Sequence, residues 1–382
     1  MTGAMYAAIS GLKSHMNKLN VIGNNIANVN TYGYKTQRAV FSDSIYTTMS
    51  AGSNGTPTAG AVNPSQIGYG VEMSSVDLDM SSGTFSPTGR DMDCMIMGDG
   101  FFLVGDKNYT FIDSTDFTKL SLTRVGNFEF KADGYLSDAN GNVVYGFLCT
   151  GVVDGEFVFS DQLVPIALPK LGMVQAVDQE GNPIDGETEL GVRYPQFGEV
   201  EEPAEGEVPY EDLPFVGMDS IAIDPITGMI TGTSKDTGKI VTIGVIAMGN
   251  VTNPNGVTHT SGPYYKANEG AGTLQISVMG GVTEKMGICN SVTADSEPVA
   301  FTYINGSEAA AAAGDDATVG DEGMRIYSAG TTELMTGGLE MSKTDLATEI
   351  SEMITTQRGY QANTRIITVT DSMLEELVNI KR

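Results

Sequence analysis

The two ends of the chain share one hydrophobic pattern and the middle follows another. Met5, Ile9, Leu12, Met16, Leu19 and Ile26 are spaced by 4, 3, 4, 3 and 7, with Gly23 at the skipped position. Near the other end, Leu346, Ile350, Met353, Tyr360, Ile367, Leu374 and Val378 obey the same rule. Leu377 flanks the last of these, and Gln357, Thr364 and Asp371 fill polar interruptions. Heptad spacing of this kind predicts helices that bury a narrow stripe against another helix. Between Met341 and Ile380 there is no proline and a single glycine, Gly359, so a helix of about 60 Å is expected there. Ser342, three residues before Asp345, predicts its N-terminal cap, and Lys381 and Arg382 suit the negative end of its dipole. The economical arrangement pairs residues 1–30 with residues 341–382 as a coiled-coil end.

Between the ends the period changes to two. "NFEFKADGYLSDANGNVVYGF" carries hairpin turns at Asp133-Gly134 and Asn140-Gly141, flanked by aromatic and β-branched residues. "GTLQISVM" alternates through Leu274, Ile276 and Val278, and "KIVTIGVIAM" is apolar enough for a core strand. Turn signals recur at short intervals without intervening helices. The expected fold is therefore mainly β, with sandwich-like or barrel-like central domains and paired terminal helices. The expected division places an extended connector at 31–70 and a middle β domain at 71–150 with 241–340. An outer acidic β domain follows at 151–240, and an insertion interrupts the middle domain at about 273–330.

Charge sharpens this picture. The chain of 382 residues carries a net −27, which lacks the basic footprint of a nucleic-acid binder. Residues 151–240 contribute 18 acidic and 4 basic side chains, a net of −14, as expected for a solvated, outward-facing domain. "NGSEAAAAAGDDATVGDEG", 305–323, reads as a low-complexity surface excursion. No run of 18 apolar residues predicts a membrane-spanning helix, and the first residues lack the pattern of a conventional secretory signal. Cys94, Cys149 and Cys289 are far apart and odd in number, which fits no disulfide framework.

Candidate chemistry is sparse. The two histidines, His15 and His259, have no clustered ligand partners, so neither a metal nor a cofactor is expected. "GDGFF", Gly98 to Phe102, lacks the third glycine and the helix of a dinucleotide fingerprint. "SGLK", Ser10 to Lys13, matches a nucleophile motif by letter but lies on the seam helix without that class's other motifs. Glu199, Glu201 and Glu202 lack the spacing of a calcium loop. Heptads at both ends, β domains between and no catalytic constellation describe a building block rather than an enzyme. Repeated heterologous contacts between copies of such a block generate open helical filaments.

Four stretches carry a specific resemblance. "MYAAISGLKSHMNKLNVIGNNIANVNTYGYK", Met5 to Lys35, resembles the N-terminal signature of the bacterial flagellar rod and hook proteins. "GTFSPTGRDMDCMIMGDGFFLV", "LTRVGNFEFKADGYLSDANGNVVYGF" and "LEMSKTDLATEISEMITTQRGYQANTRIITVTDSMLEELVNIKR" resemble that family's internal and C-terminal blocks, in the family's order. The final block and the chain length look like the hook branch. The insertion near 273–330 and Lys343-Thr344 depart from the family pattern.

The resemblance implies a subunit of the curved, flexible tube that couples the flagellar motor to the filament. Its terminal helices would line the channel and its β domains would form outer layers. Export would run through the flagellar type III apparatus, and the partners would be copies of itself, a hook cap protein, the distal rod protein and hook–filament junction proteins. A straight distal rod protein is the alternative within the family; a β-rich adhesin or surface enzyme is the alternative outside it. Polymer contacts are expected at Met5, Ile9, Leu12, Met16, Leu19 and Ile26, and at Leu346, Ile350, Met353, Tyr360, Ile367, Leu374 and Leu377. "VIGNNIANVNTYGYK" is expected to leave the helix between Asn28 and Gly33. Its Asn24, Asn25, Asn28 and Asn30 would form the joint between inner tube and outer layers, where amides can both donate and accept. Replacing Asn25 or Asn28 by Leu is expected to impair assembly more than folding.

Overall fold

A computed structural model describes residues 2–380 except 53, 55–59, 111–118, 154–155, 161, 178–182, 196–208, 280–300, 304–324 and 329–331. The chain divides into two compact units, Met1–Met80 with Ser342–Arg382, and Ser81–Met341.

The first unit holds both long helices, α1 (Thr2–Ala27) and α2 (Leu346–Ile380), which pack against each other. The helix α1 ends where the asparagines begin to compete for its backbone: the Asn28 N–H reaches the carbonyls of Asn24 and Asn25, and the Thr31 N–H reaches that of Asn28. Gly33, at φ 67°, supplies the left-handed residue that turns the chain away. The helix α2 begins at Leu346, and its cap is Asp345 rather than Ser342. The Asp345 carboxylate accepts from the Ala347 N–H at 3.1 Å and the Thr348 hydroxyl at 2.6 Å. These bonds, Thr348 first, hold its pKa below the usual carboxylate value. Ser342 instead accepts from the Thr344 N–H and donates to its hydroxyl. Lys381 and Arg382 lie outside the described residues.

The expected connector at 31–70 contains strands. β1 (Gln37–Asp43) runs antiparallel to β4 (Val71–Leu78), with a bulge between Val40 and Phe41, and β2 (Tyr46–Ser50) pairs with β3 (Ser65–Gly68). Alternation is weak across these strands, which is why they read as irregular: β2 and β3 are exposed throughout.

The second unit is mainly β, organised by a half-barrel sheet. Its path runs through strands Met218–Ile223, Met229–Ser234, Ile240–Ile246, Val143–Val153, Phe101–Gly105, Met248–Val251 and Leu274–Val278. Pairing is antiparallel along this path. The described strand Arg325–Ser328 then joins Leu274–Val278 in parallel. Both hairpin turns occur where expected, with Gly134 at φ 77° and Gly141 at φ 91°. The core gathers Phe102, Val104, Phe128, Val144, Ile166, Ile230, Ile243 and Ile246, with Phe102 and Phe128 edge to face at 4.9 Å. Strands 218–223 and 229–234 pair into this sheet rather than standing apart within an outer domain at 151–240. Of the described strands in that range, Lys170–Val177 and Pro183–Arg193 form a separate two-stranded sheet. Most of the acidic run at 198–212, Cys289, most of the 273–330 insertion and the 305–323 stretch lie outside the described residues.

Candidate functional site

Among the described residues, the feature that stands out is the paired terminal helices. Three pairs of positions set their register. A Cβ on Gly11 would meet Asn363 Nδ2 at 2.6 Å, and one on Gly359 would meet the His15 ring at 2.9 Å. Asn25 Nδ2 donates to Glu349 Oε1 at 3.0 Å. The residue numbers in each pair sum to 374, so the helices run antiparallel. Lys18 and Glu352 add an ion pair at 2.9 Å, partly exposed and therefore weak in itself.

Three faces of α1 can now be separated. Gly11, His15, Lys18 and Asn25 meet α2, and the buried Ala8 and Ile22 share their heptad spacing, so this face mixes small, polar and apolar side chains. Ser10 and Ser14 form the β4 face: the Val71 N–H donates to Ser10 Oγ, and Ser14 donates to the Val71 carbonyl. The expected seam, Met5, Ile9, Leu12, Met16, Leu19 and Ile26, is displaced by one residue from the α2 face, a rotation of about 100°. Its members are half-buried, or exposed as at Ile9 and Met16. The spacing was legible, but two neighbouring heptad stripes share it, and small residues win the close approach.

The other helix divides similarly. Glu349, Met353, Thr356, Gly359, Tyr360, Asn363, Ile367 and Thr370 are its least exposed positions. Met353, Tyr360 and Ile367 were expected on this seam. The alternate places belong to Thr356, Asn363 and Thr370 rather than to their C-terminal neighbours Gln357, Thr364 and Asp371. Leu346, Ile350, Leu374 and Leu377 are exposed.

The asparagine cluster separates into two roles. Asn25 is 1% exposed and uses its whole amide. Its Nδ2 donates to the Gln37 carbonyl at 2.8 Å and to Glu349, and its Oδ1 accepts from the Tyr34 hydroxyl and the Gln37 N–H, both at 3.0 Å. One side chain thus ties α1, the turn after it, β1 and α2 together. Asn24 donates to the Tyr34 hydroxyl at 3.1 Å. Asn28 makes local bonds, to the Asn24 carbonyl and side chain and from Thr31. Asn30 is exposed. Burial raises the Glu349 pKa, against the lowering influence of Asn25. Burial, with Lys18 beside it, lowers that of His15. Cys94 and Cys149 are buried free thiols, and burial pushes Cys149 up to about 11, so neither is poised as a nucleophile. Among the described residues no group of three His, Cys, Asp or Glu is placed to hold a metal ion, and no helix is long and apolar enough to cross a membrane.

Comparison with known proteins matches both ends of the chain. The family described as "Flagella basal body rod protein" matches residues 5–35, and "Flagellar basal body rod FlgEFG protein C-terminal" matches residues 335–380. The chain is 28% identical, over the whole of both proteins, to the flagellar basal-body rod protein FlgG of Bacillus subtilis. It is 26% identical, again over the whole of both, to the flagellar hook protein FlgE of Borreliella burgdorferi. The hook protein of Salmonella typhimurium is 25% identical over 98% of this chain and 99% of its own. The matched ends take in most of α1 and the whole of α2.

Proposed function

We propose that the chain, similar at both ends to the flagellar rod and hook proteins, works as a structural subunit of the hook, polymerising into the curved tube between motor and filament. Full-length similarity to several hook proteins carries this reading, and it places the protein in the flagellar hook and basal body. The exposed apolar positions on both helices support it physically. Ile9 and Met16 on α1, and Ile350, Leu374 and Leu377 on α2, keep about 37–48% of their surface open to solvent in the single chain. Covering them with neighbouring subunits gains about 25 cal/mol per Å². The mixed seam holds α1 to α2 within one subunit, and the exposed apolar stripes are left to join subunits.

The finer assembly follows the same reading. The subunit passes through the flagellar type III export apparatus, adds beneath a hook cap protein onto the distal rod, and later meets the hook–filament junction proteins. Wetter contacts between outer β domains shift as the tube turns, while the helices supply cohesion. Deleting residues 1–30 should abolish polymerisation; tubes formed by the truncated chain would remove the helices from the mechanism.

A straight distal rod subunit is the second reading. The Bacillus rod protein favours it, because it aligns end to end with this chain. Chain length therefore does not separate hook from rod.

A further inference from the structure

The chain passes between the two compact units twice, after Met80 and after Met341. Where it enters and leaves the β unit, the two segments run side by side. Strands Phe85–Pro87 and Gly338–Glu340 pair antiparallel with Phe85 opposite Glu340, and the Met341 N–H donates to the Thr84 carbonyl at 2.9 Å. The Gly83 N–H donates to Glu340 Oε1 at 2.7 Å. A Cβ on Gly83 would meet the Met341 carbonyl oxygen at 2.2 Å, so only glycine lets the segments approach this closely.

The carboxylate that holds this exit together is buried with a cation. The side chains of Arg124 and Glu340 are 1% and 2% exposed, and Arg124 Nη1 stands 3.9 Å from Glu340 Oε2. Arg124 follows strand Ser121–Thr123, which pairs with Phe101–Gly105, and its guanidinium lies over the Phe101 ring at 5.4 Å from the centroid. An ion pair this deep adds little net stability over an apolar pair, but separating its members is costly. Drawing Glu340 outward would leave the arginine charge in the interior. Among the described residues, Arg124 Nε and Nη1 have no hydrogen-bond partner to offset that loss.

We infer that Arg124 and Glu340 form a latch that ties both chain crossings to the core of the β unit, so that the exit opens only when the core opens. Both covalent crossings between the units run through this exit, so tension carried along the chain reaches the β unit there first. The ladder at the exit is only three residues long and would peel easily by itself. Through Glu340, Arg124 and Phe101 the pull passes instead to strand Phe101–Gly105 in the middle of the large sheet. The latch belongs to a single copy and holds whether the polymer is a hook or a rod.

Amide hydrogen exchange of the dilute full-length chain in rising urea tests it. In the parent, the exit amides of Gly83 and Met341 should exchange with the same urea dependence as the amides of Phe101–Gly105 and Ile240–Ile246. A separate, shallower opening of the exit would overturn the inference. The double variant Arg124→Met with Glu340→Leu replaces the ion pair by apolar side chains. It should melt near the parent and keep the parent's core exchange rates, while its exit amides exchange at least about tenfold faster without urea. Unchanged exit rates in the folded double variant would also overturn the inference. Glu340→Leu alone leaves the arginine charge buried and should melt well below the double variant; equal melting of the two would count against the latch. Where a variant fails to fold, the urea dependence of the parent decides.

Discussion

Asn25 has both amide hydrogens and both oxygen lone pairs engaged in a site 1% open to solvent. Leucine fits the space poorly and takes the side-chain partner from the Gln37 N–H and carbonyl, each at about 1–3 kcal/mol. Asn25→Leu should therefore lower the stability of the helical unit in the isolated monomer by several kcal/mol, read as a fall in denaturation midpoint. Asn28→Leu, which loses local bonds at a half-buried helix end, should cost less than half as much. For Asn25 this differs from the expectation that either change impairs assembly more than folding. An asparagine run was visible in the sequence as a poor helix end, but its partners come from residues 12 and 324 positions away, which no local pattern encodes. Gly359 is a similar case. It reads as a helix defect, yet its missing Cβ is the space that the His15 ring occupies. Gly359→Val should destabilise the helix pair by about 1–3 kcal/mol despite valine's adequate helix propensity, as thermal melting will show.

At the scale of elements, the helix pair carries titratable groups in its seam and should respond to acid. Burial and Lys18 lower the His15 pKa in the folded state. The folded chain thus binds fewer protons here than the unfolded one. This contribution is fully present above the unfolded value of 6.5 and is lost as pH falls below it. Phe41 of β1 and Gly359 of α2 pack on the ring and offer it no charge, so Lys18 is the charged neighbour that shifts it. Glu349 acts with the opposite sign. Its raised pKa penalises the folded state near neutrality, and the penalty is relieved as pH falls through that raised pKa toward 4.5. The melting temperature of the helical unit should decline between about pH 7 and 5.5, and His15→Gln should flatten that decline. Both helices, the two hairpin turns and the apolar strand at 240–246 were legible because period and turn chemistry agree locally. The β1–β4 ladder was not, because its strands are half-exposed and joined across more than 25 residues. The facing stripes were half-legible: heptad spacing gives the step but not the starting residue.

For the whole molecule, charge opposes what the apolar stripes favour. Each copy brings a net −27, so assembly concentrates like charge. Raising ionic strength from about 10 mM to 150 mM shortens the screening length from about 30 Å to 8 Å. The concentration needed for polymerisation, measured by sedimentation, should fall over that range. The same acidity favours solvation of a single copy, whose apolar helical positions are exposed. The likeness to flagellar rod and hook proteins was legible from the terminal blocks, whereas the hook-against-rod choice was less so. Both kinds of relative span the whole chain at similar identity, and curvature is a property of the polymer, not of one subunit. The central claim is that this chain builds a bending tube through its helical ends. Electron cryomicroscopy of polymers grown from the concentrated full chain tests it most directly. Hollow, curved tubes with α1 and α2 lining the channel are expected; straight rods, a channel lined by the β unit, or monomers alone would contradict it.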